Sequence, residues 1–230
     1  MIPVVAGYSA AQVRAAEAPH LAAGEPLMRH AAGALAAALR RVLADADSPQ
    51  GAVVLIVGSG DNGGDSLFAG AELAREGVEV IAIATAERMH TEGRRAAFDA
   101  GVHFVGADDA DAARAAFESA AVLVDGILGT GTSSSPALRG AARDLVTDAI
   151  PIVDRRGTPV VAVDLPSGVH PDDGTVPDPT VLRATLTVTF GAVKAGLLRH
   201  PAADYAGSVE VVDLGLGDEL AAMTPLVVTD

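Results

Sequence analysis

Several acidic residues and a single lysine stand out in this sequence for where they fall. Asp125 directly follows the apolar run Val122-Leu123-Val124, and Asp164 directly follows Val160–Val163. A further run, Val53–Val57, leads into Gly58-Ser59-Gly60-Asp61-Asn62-Gly63-Gly64-Asp65. Gly58, Gly60 and Gly63 satisfy G-x-G-x-x-G in the strand-to-helix setting that the motif needs. Such a turn brings backbone N–H groups and the positive end of a helix against a phosphate. It also serves as a plain tight turn with Asp65 as a helix cap, and the residues alone leave both readings open. Behind Asp125 runs Gly126-Ile127-Leu128-Gly129-Thr130-Gly131-Thr132-Ser133-Ser134-Ser135, and behind Asp164 runs Leu165-Pro166-Ser167-Gly168. Both are loops rich in glycine or hydroxyl groups. Carboxylates crowded beside an anionic nucleotide repel it, so an accompanying cation is expected, and oxygen-only ligands point to a hard ion. Lys194 is the one lysine among 16 basic residues. It reads either as a compact ammonium placed for chemistry or as an ordinary surface lysine.

The elements that must position these groups alternate regularly. Ser9 caps a helix expected over Ala10–Ala18 that Pro19 would end. A second helix runs from Leu27 to Ala46 on the stripe Leu27, Ala31, Leu35, Leu39, Val42 and Leu43, with Asp47-Ser48-Pro49 closing it. Strands are expected at Val53–Val57, Val78–Ala84, Val102–Val105, Val122–Val124, Val160–Val163, Thr185–Phe190 and Ser208–Asp213, with Leu226–Val228 as an edge. Helices are expected over Asp65–Glu76, Thr91–Ala100, Asp109–Ser119 and Pro136–Ala149. Short apolar strands alternating with amphipathic helices predict α/β architecture, a three-layer α/β/α sandwich around a Rossmann-like, doubly wound, mostly parallel sheet. We read one domain over 1–230, with N-terminal helices at 9–46, an α/β core at about 52–214 and a C-terminal tail at 215–230. With the core strands ordered 3-2-1-4-5, Asn62, Asp65, Asp125, Asp164 and Ser167 meet in one crevice at the switch point.

Composition narrows the function classes. The formal charge of −14 disfavours nucleic acid and anionic membranes as partners, since both are recognised by basic patches. The chain has no cysteine, hence no disulfide framework, thiolate metal site or Cys nucleophile. Ala31–Leu39 is far short of the roughly 20 residues of a transmembrane helix, and a cytoplasmic location is expected. An ordinary dinucleotide oxidoreductase is disfavoured, because the second core strand ends Ile81-Ala82-Ile83-Ala84-Thr85 with no acid for the ribose before Glu87. His20, His30, His90, His103, His170 and His200 show no ligand-spaced pair, so zinc is not expected. Asp172-Asp173-Gly174 reads as a turn, and Arg40-Arg41 and Arg155-Arg156 as solvated faces.

Taken in order, these pieces resemble the NAD(P)H-hydrate epimerase family, the YjeF N-terminal domain. The resemblance rests on Leu27-Met28, Gly60-Asp61-Asn62-Gly63-Gly64-Asp65, Asp125 with Gly129-Thr130-Gly131, Asp164-Leu165-Pro166-Ser167-Gly168, and Phe190, Lys194 and Gly196-Leu197. It implies an isomerase that interconverts the R and S forms of NADH or NADPH hydrated at C6 of the ring, supplying a stereospecific dehydratase. It further implies a homodimer and one K⁺ per subunit held by Asn62, Asp125 and Ser167. Asp61, Asn62, Gly63, Gly64 and Asp65, the loop Gly129, Thr130, Gly131, Thr132, Ser133, Ser134 and Ser135, and Asp164 would hold the hydrated cofactor. For proton transfer, Asp164 is our first choice and Lys194 an alternative acid or an electrostatic partner. Asp164 would have to be raised by burial or by a neighbouring carboxylate such as Asp125. Three positions depart from the family pattern: Asp61 for Asn, Ser66 for Gly at a point of close backbone approach, and Val193 for Pro before the lysine. A catalytically silent nucleotide-binding or protein-interaction scaffold of the same fold is the rival reading.

Overall fold

The computed structural model describes residues 5–46, 51–132 and 135–229. Its elements in order are β1 (Val5–Tyr8), α1 (Ala10–Ala22), α2 (Leu27–Asp45), β2 (Ala52–Val57), α3 (Asp61–Arg75), β3 (Val80–Ala84), α4 (Thr91–Asp99), β4 (His103–Val105), α5 (Ala110–Ser119) and β5 (Ala120–Gly126). There follow α6 (Gly140–Arg156), β6 (Val160–Val163), β7 (Leu186–Phe190), β8 (Val193–Lys194), α7 (Ala203–Ala206), β9 (Ser208–Val212), α8 (Gly217–Ala221) and β10 (Val227–Thr229).

Seven strands form a sheet in the order β4-β3-β2-β5-β6-β7-β9, and every pairing in it is parallel. Alternation along the strands sends successive side chains to opposite faces. Val53, Leu55 and Val57 pack with Leu35 and Leu39 of α2 and Leu67 and Leu73 of α3. Val54 and Ile56 pack instead with Phe117 of α5 and Val146 and Ile152 of α6. Helices therefore cover both faces, which is why β2 is buried along its whole length and reads as an unbroken apolar run. The expected architecture is borne out. The chain steps outward through β3 and β4, then returns to lay β5 against β2, so the switch point lies between β2 and β5.

A second, smaller sheet has the order β10-β1-β8. Here β1 runs antiparallel to β10 and parallel to β8, with Tyr8 paired to Lys194. The expected edge strand near Leu226–Val228 thus belongs to this sheet and not to the main one.

Four helix boundaries differ from expectation. α1 runs through Pro19 to Ala22: the proline lacks a donor, but its carbonyl still accepts from Ala23 N at 3.0 Å. α3 begins at Asp61, four residues before the expected start, so Gly63 and Gly64 are helical and Gly60, not Asp65, is the cap. α6 begins at Gly140, because buried Leu138 and the extended backbone of Arg139 hold Pro136 outside the helix. It then continues past Pro151 to the left-handed Gly157. The expected closure by Asp47-Ser48-Pro49 lies outside the described residues. Arg40 and Arg41 are not merely solvated; they pair with Glu72, Glu76 and Glu210, and Arg155 pairs with Glu118.

The glycines at the head of α3 are needed for close approach. A Cβ on Gly58 would lie 1.9 Å from Ile127 O, and one on Gly63 would lie 2.1 Å from Gly58 O. Gly33 in α2, by contrast, has nothing within 4 Å of such an atom. Denaturant titration should show Gly58→Ala losing about 3 kcal/mol, and Gly33→Ala gaining about 0.5–1 kcal/mol from helix propensity.

Candidate active site

The C-terminal ends of β2, β5 and β6 lie side by side, and the groups that follow them converge as expected. Two adjoining hollows open there. The larger, about 500 Å³, is lined by Gly58 to Asn62, Thr85, Ile127 to Gly131, Ser135 and Ala137 to Arg139, with Ala142. The smaller, about 160 Å³, is lined by Asp61, Asn62, Asp65, Thr130, Asp164 and Lys194 together with Phe190, Leu214, Leu27, Met28 and Ala31. Its remaining wall is Val13, Glu17 and Leu21 of α1. Asp61, Asn62 and Thr130 line both hollows.

Asp164 and Lys194 form a buried ion pair at the floor of the smaller hollow, 5 % and 1 % exposed respectively. Lys194 is therefore no surface lysine. Its Nζ donates to Asp164 Oδ1, to Phe190 O at 2.7 Å and to Thr189 Oγ1 at 3.2 Å, which uses all three of its donors. Asp164 Oδ1 also accepts from Thr189 Oγ1 at 3.1 Å and from Phe190 N at 3.2 Å. The Asp164 backbone is left-handed, with φ of +69°. Among non-glycine residues aspartate and asparagine tolerate this best. The turn is pinned by Asp164 N on Val188 O at 2.8 Å. Of the neighbours expected for Asp164, the structure sets Lys194 against it as an electrostatic partner, while Asp125 is hydrogen-bonded to Ser167 instead.

Asp125 sits within β5, level with Ile56 and Ala162, and not beyond its end. Its oxygens accept from Ser167 Oγ at 2.5 Å, Ser167 N at 2.8 Å and Ile127 N at 3.4 Å. Burial pushes its carboxyl up, and the Ser167 bonds oppose that. Asn62 Nδ2 donates to Val163 O at 2.6 Å and Leu128 O at 3.0 Å, tying α3 to β6 and to the loop after β5. Ser167 Oγ in turn accepts from Leu128 N at 2.9 Å. The three residues expected to hold a cation are thus joined through one short segment. Their donor set is one buried carboxylate, an amide and a hydroxyl, all oxygen, which suits a hard ion of low charge. No basic side chain pairs with Asp125 among the described residues, so a K⁺ there would answer a charge the protein leaves uncompensated.

Asp65 is 6 % exposed, and its Oδ1 is buried with no hydrogen-bond partner among the described residues. Burial pushes its carboxyl well above the ordinary value; the charges of Asp164, Asp61 and Glu17 push the same way, against Lys194. Asp61 is exposed in the first turn of α3. Ser66 does not face the hollows: it is fully buried, its Oγ donating to Asn62 O at 2.8 Å beside Gly126. Gly129, Thr130, Gly131 and Ser135 line the larger hollow, whereas Ser133 and Ser134 lie outside the described residues. Val193 pairs with Gly7 in the small sheet. Three contributors escaped the sequence reading: Glu17 of α1, Thr189 beside the ion pair, and Arg14, whose guanidinium donates to Thr130 O at 3.2 Å. Only the capped helix after Ser9 signalled that α1 exists, and nothing in its spacing showed which face met the site.

A doubly wound α/β protein with a glycine-lined cleft and a ring-sized polar hollow at its switch point is a small-molecule site of the nucleotide-binding kind. Residues 24–196 match the family described as YjeF-related protein N-terminus, and the chain belongs to that family. The NAD(P)H-hydrate epimerase of Clavibacter michiganensis subsp. michiganensis is 54 % identical over 224 residues, covering 96 % of this chain and 94 % of that protein. That of Microbacterium testaceum is 47 % identical over 223 residues, covering 97 % and 84 %. The bifunctional NAD(P)H-hydrate repair enzyme Nnr of Mycobacterium tuberculosis H37Rv is 38 % identical over 217 residues, 91 % of this chain but 41 % of that longer protein. A crystal structure of the yeast protein ynu0 superposes with a TM-score of 0.70 at 20 % identity, covering 83 % of this chain and 82 % of that one, and so shares the fold.

Two outcomes test this description. Lys194→Met leaves Asp164 buried without its cation, and denaturant titration should show a loss of about 3–5 kcal/mol. Asp65 lies above its ordinary value of 3.8 in the folded protein. Its contribution is therefore fully present below that pH and is lost as pH rises through the folded value. Asp65→Asn, which cannot ionise, should gain stability relative to the parent as pH is raised from about 4, read by thermal melts across pH.

Proposed function

We propose that this protein is an isomerase that equilibrates the R and S epimers of hydrated NADH and NADPH, for repair of the nicotinamide cofactor. Its 54 % and 47 % identical relatives carry that activity in their names, over nearly the whole of this chain. The observation that carries the reading is the pair of joined hollows. A cavity of about 150 Å³ takes up benzene, so the smaller hollow, about 160 Å³, holds one six-membered ring. The larger then takes the ribose and phosphates against Gly58, Gly60, Gly129 and Gly131, where backbone can approach closely.

The hydrated carbon bears a hydroxyl and the ring nitrogen. Loss of that hydroxyl with the nitrogen lone pair gives a planar, cationic iminium, to which water returns on either face. Asp164 faces the ring site with Lys194 fixed against it, and we assign them the positioning of the ring and the stabilisation of its changing charge. Gly129, Thr130, Gly131, Thr132 and Ser135 hold the phosphate side, and Asp61 to Asp65 hold the junction of ring and ribose. Asn62, Asp125 and Ser167 would bind K⁺, which supplies one fixed positive charge beside the phosphates. A homodimer working in the cytoplasm, with a dehydratase that consumes one epimer, completes the proposal.

The test begins from one resolved epimer of hydrated NADH in K⁺ buffer, with the R/S ratio followed by chromatography and the uncatalysed drift subtracted. Rapid equilibration is expected, slowed by about 10²–10⁴-fold in Asp164→Asn and slowed again when tetramethylammonium replaces K⁺. A folded protein that leaves the ratio at its uncatalysed drift would return the scaffold reading.

A further inference from the structure

The reaction proposed above needs a group that gives a proton to the departing hydroxyl and takes one from the returning water. Lys194 has no donor left for this, and Asp164 has only its second oxygen. All three donors of Lys194 are spent on Asp164, Phe190 O and Thr189, and one Asp164 oxygen already accepts three hydrogen bonds. Asp61 is exposed in the first turn of α3, at the rim shared by the two hollows. Asp65 lines the same hollow but is 6 % exposed and closed to solvent, and Glu17 differs from all of these. It is half-buried in the wall that α1 presents to the ring-sized hollow, so it faces both the hollow and solvent. No protein group hydrogen-bonds its carboxyl among the described residues, leaving that carboxyl open to a ligand.

The register of the small sheet fixes this placement. Tyr8 pairs with Lys194, Ser9 caps α1 immediately afterwards, and the helix runs on across the hollow from that point. α1 lies just before residues 24–196, the span that matches the family.

We infer that Glu17 is a catalytic acid–base residue of the ring site, resting on the function proposed above. In the forward step the bond from ring carbon to hydroxyl oxygen breaks as the nitrogen lone pair becomes the C=N⁺ bond. The oxygen takes the Glu17 proton and leaves as water. In the return step water oxygen bonds to the carbon, the C=N electrons return to nitrogen, and the released proton goes back to the Glu17 carboxylate. Proton and electron counts close without a further reactant. Supporting this, burial raises the Glu17 carboxyl, and Asp164 and Asp61 raise it further, while Lys194 and Arg14 oppose them. Asp65 of α3 is the remaining titratable neighbour.

The experiment follows R/S equilibration of hydrated NADH for the parent protein, Glu17→Gln, Glu17→Asp and Glu17→Ala, the last with and without added formate. Glu17→Gln should lose about 100-fold in kcat with KM within twofold and an unchanged melting temperature. Glu17→Asp should keep part of the rate, and formate should restore Glu17→Ala in proportion to its concentration. A Glu17→Gln rate equal to that of the parent overturns the inference and leaves the proposed function standing. So does a slow Glu17→Ala that formate does not restore, since a structural role gives that result. A parent protein that never exceeds the uncatalysed drift removes the proposed function and this inference with it.

Discussion

The buried pair between Asp164 and Lys194 is the constraint around which the site is organised. Two opposite charges this deep are tolerable only if every remaining donor and acceptor is answered. Thr189 and the Phe190 backbone supply those answers, which forces β7 and the turn after it to run close to the end of β6. The left-handed backbone at Asp164 aims its carboxylate at the turn. Lys194 must then approach from outside the main sheet, and it does so from β8 of the small one. The two sheets are joined at the floor of the smaller hollow.

Around that pair the chain separates two kinds of polar work. The Asp125, Ser167 and Asn62 group makes internal hydrogen bonds that hold three loops in register while leaving the Asp125 charge without a basic partner among the described residues. Asp65 and Glu17 are the reverse: carboxyls facing the hollow with no hydrogen-bond partner among the described residues. Saturated groups fix geometry, while unsatisfied ones store affinity for whatever can complete them. The glycines at 58, 63, 126 and 129 leave room for Ile127, Gly58, Ser66 and Asn62 at distances a Cβ would block.

Much of this could be read in the sequence. Unbroken apolar runs such as Val53–Val57 and Val160–Val163 are diagnostic of strands covered on both faces, and the 3-2-1-4-5 order taken as the premise is the one found. The strand-end residues therefore converged as expected. Boundaries were harder where tertiary packing overrides local preference. Gly63 and Gly64 read as loop, yet contact with Gly58 and His90 holds them in α3. Pro19 and Pro151 read as breaks, yet each sacrifices only its own donor inside a packed helix. β1 and β8 are four and two residues long, too short for periodicity to speak, and their pairing links distant parts of the chain. For the same reason Lys194 could be singled out by type, while Glu17, across the hollow from it, could not.

The small sheet also sets an order of events. β1 finds its places beside Lys194 and Val227 to Thr229, so the first strand waits for nearly the last residues of the chain. Pairings of such separation carry the largest loop-closure cost and form late. During synthesis the seven-stranded sheet can assemble while α1 still hangs free, leaving the ring site without its outer wall. The smaller hollow thus gains its outer wall only once β1 has found its place between β8 and β10.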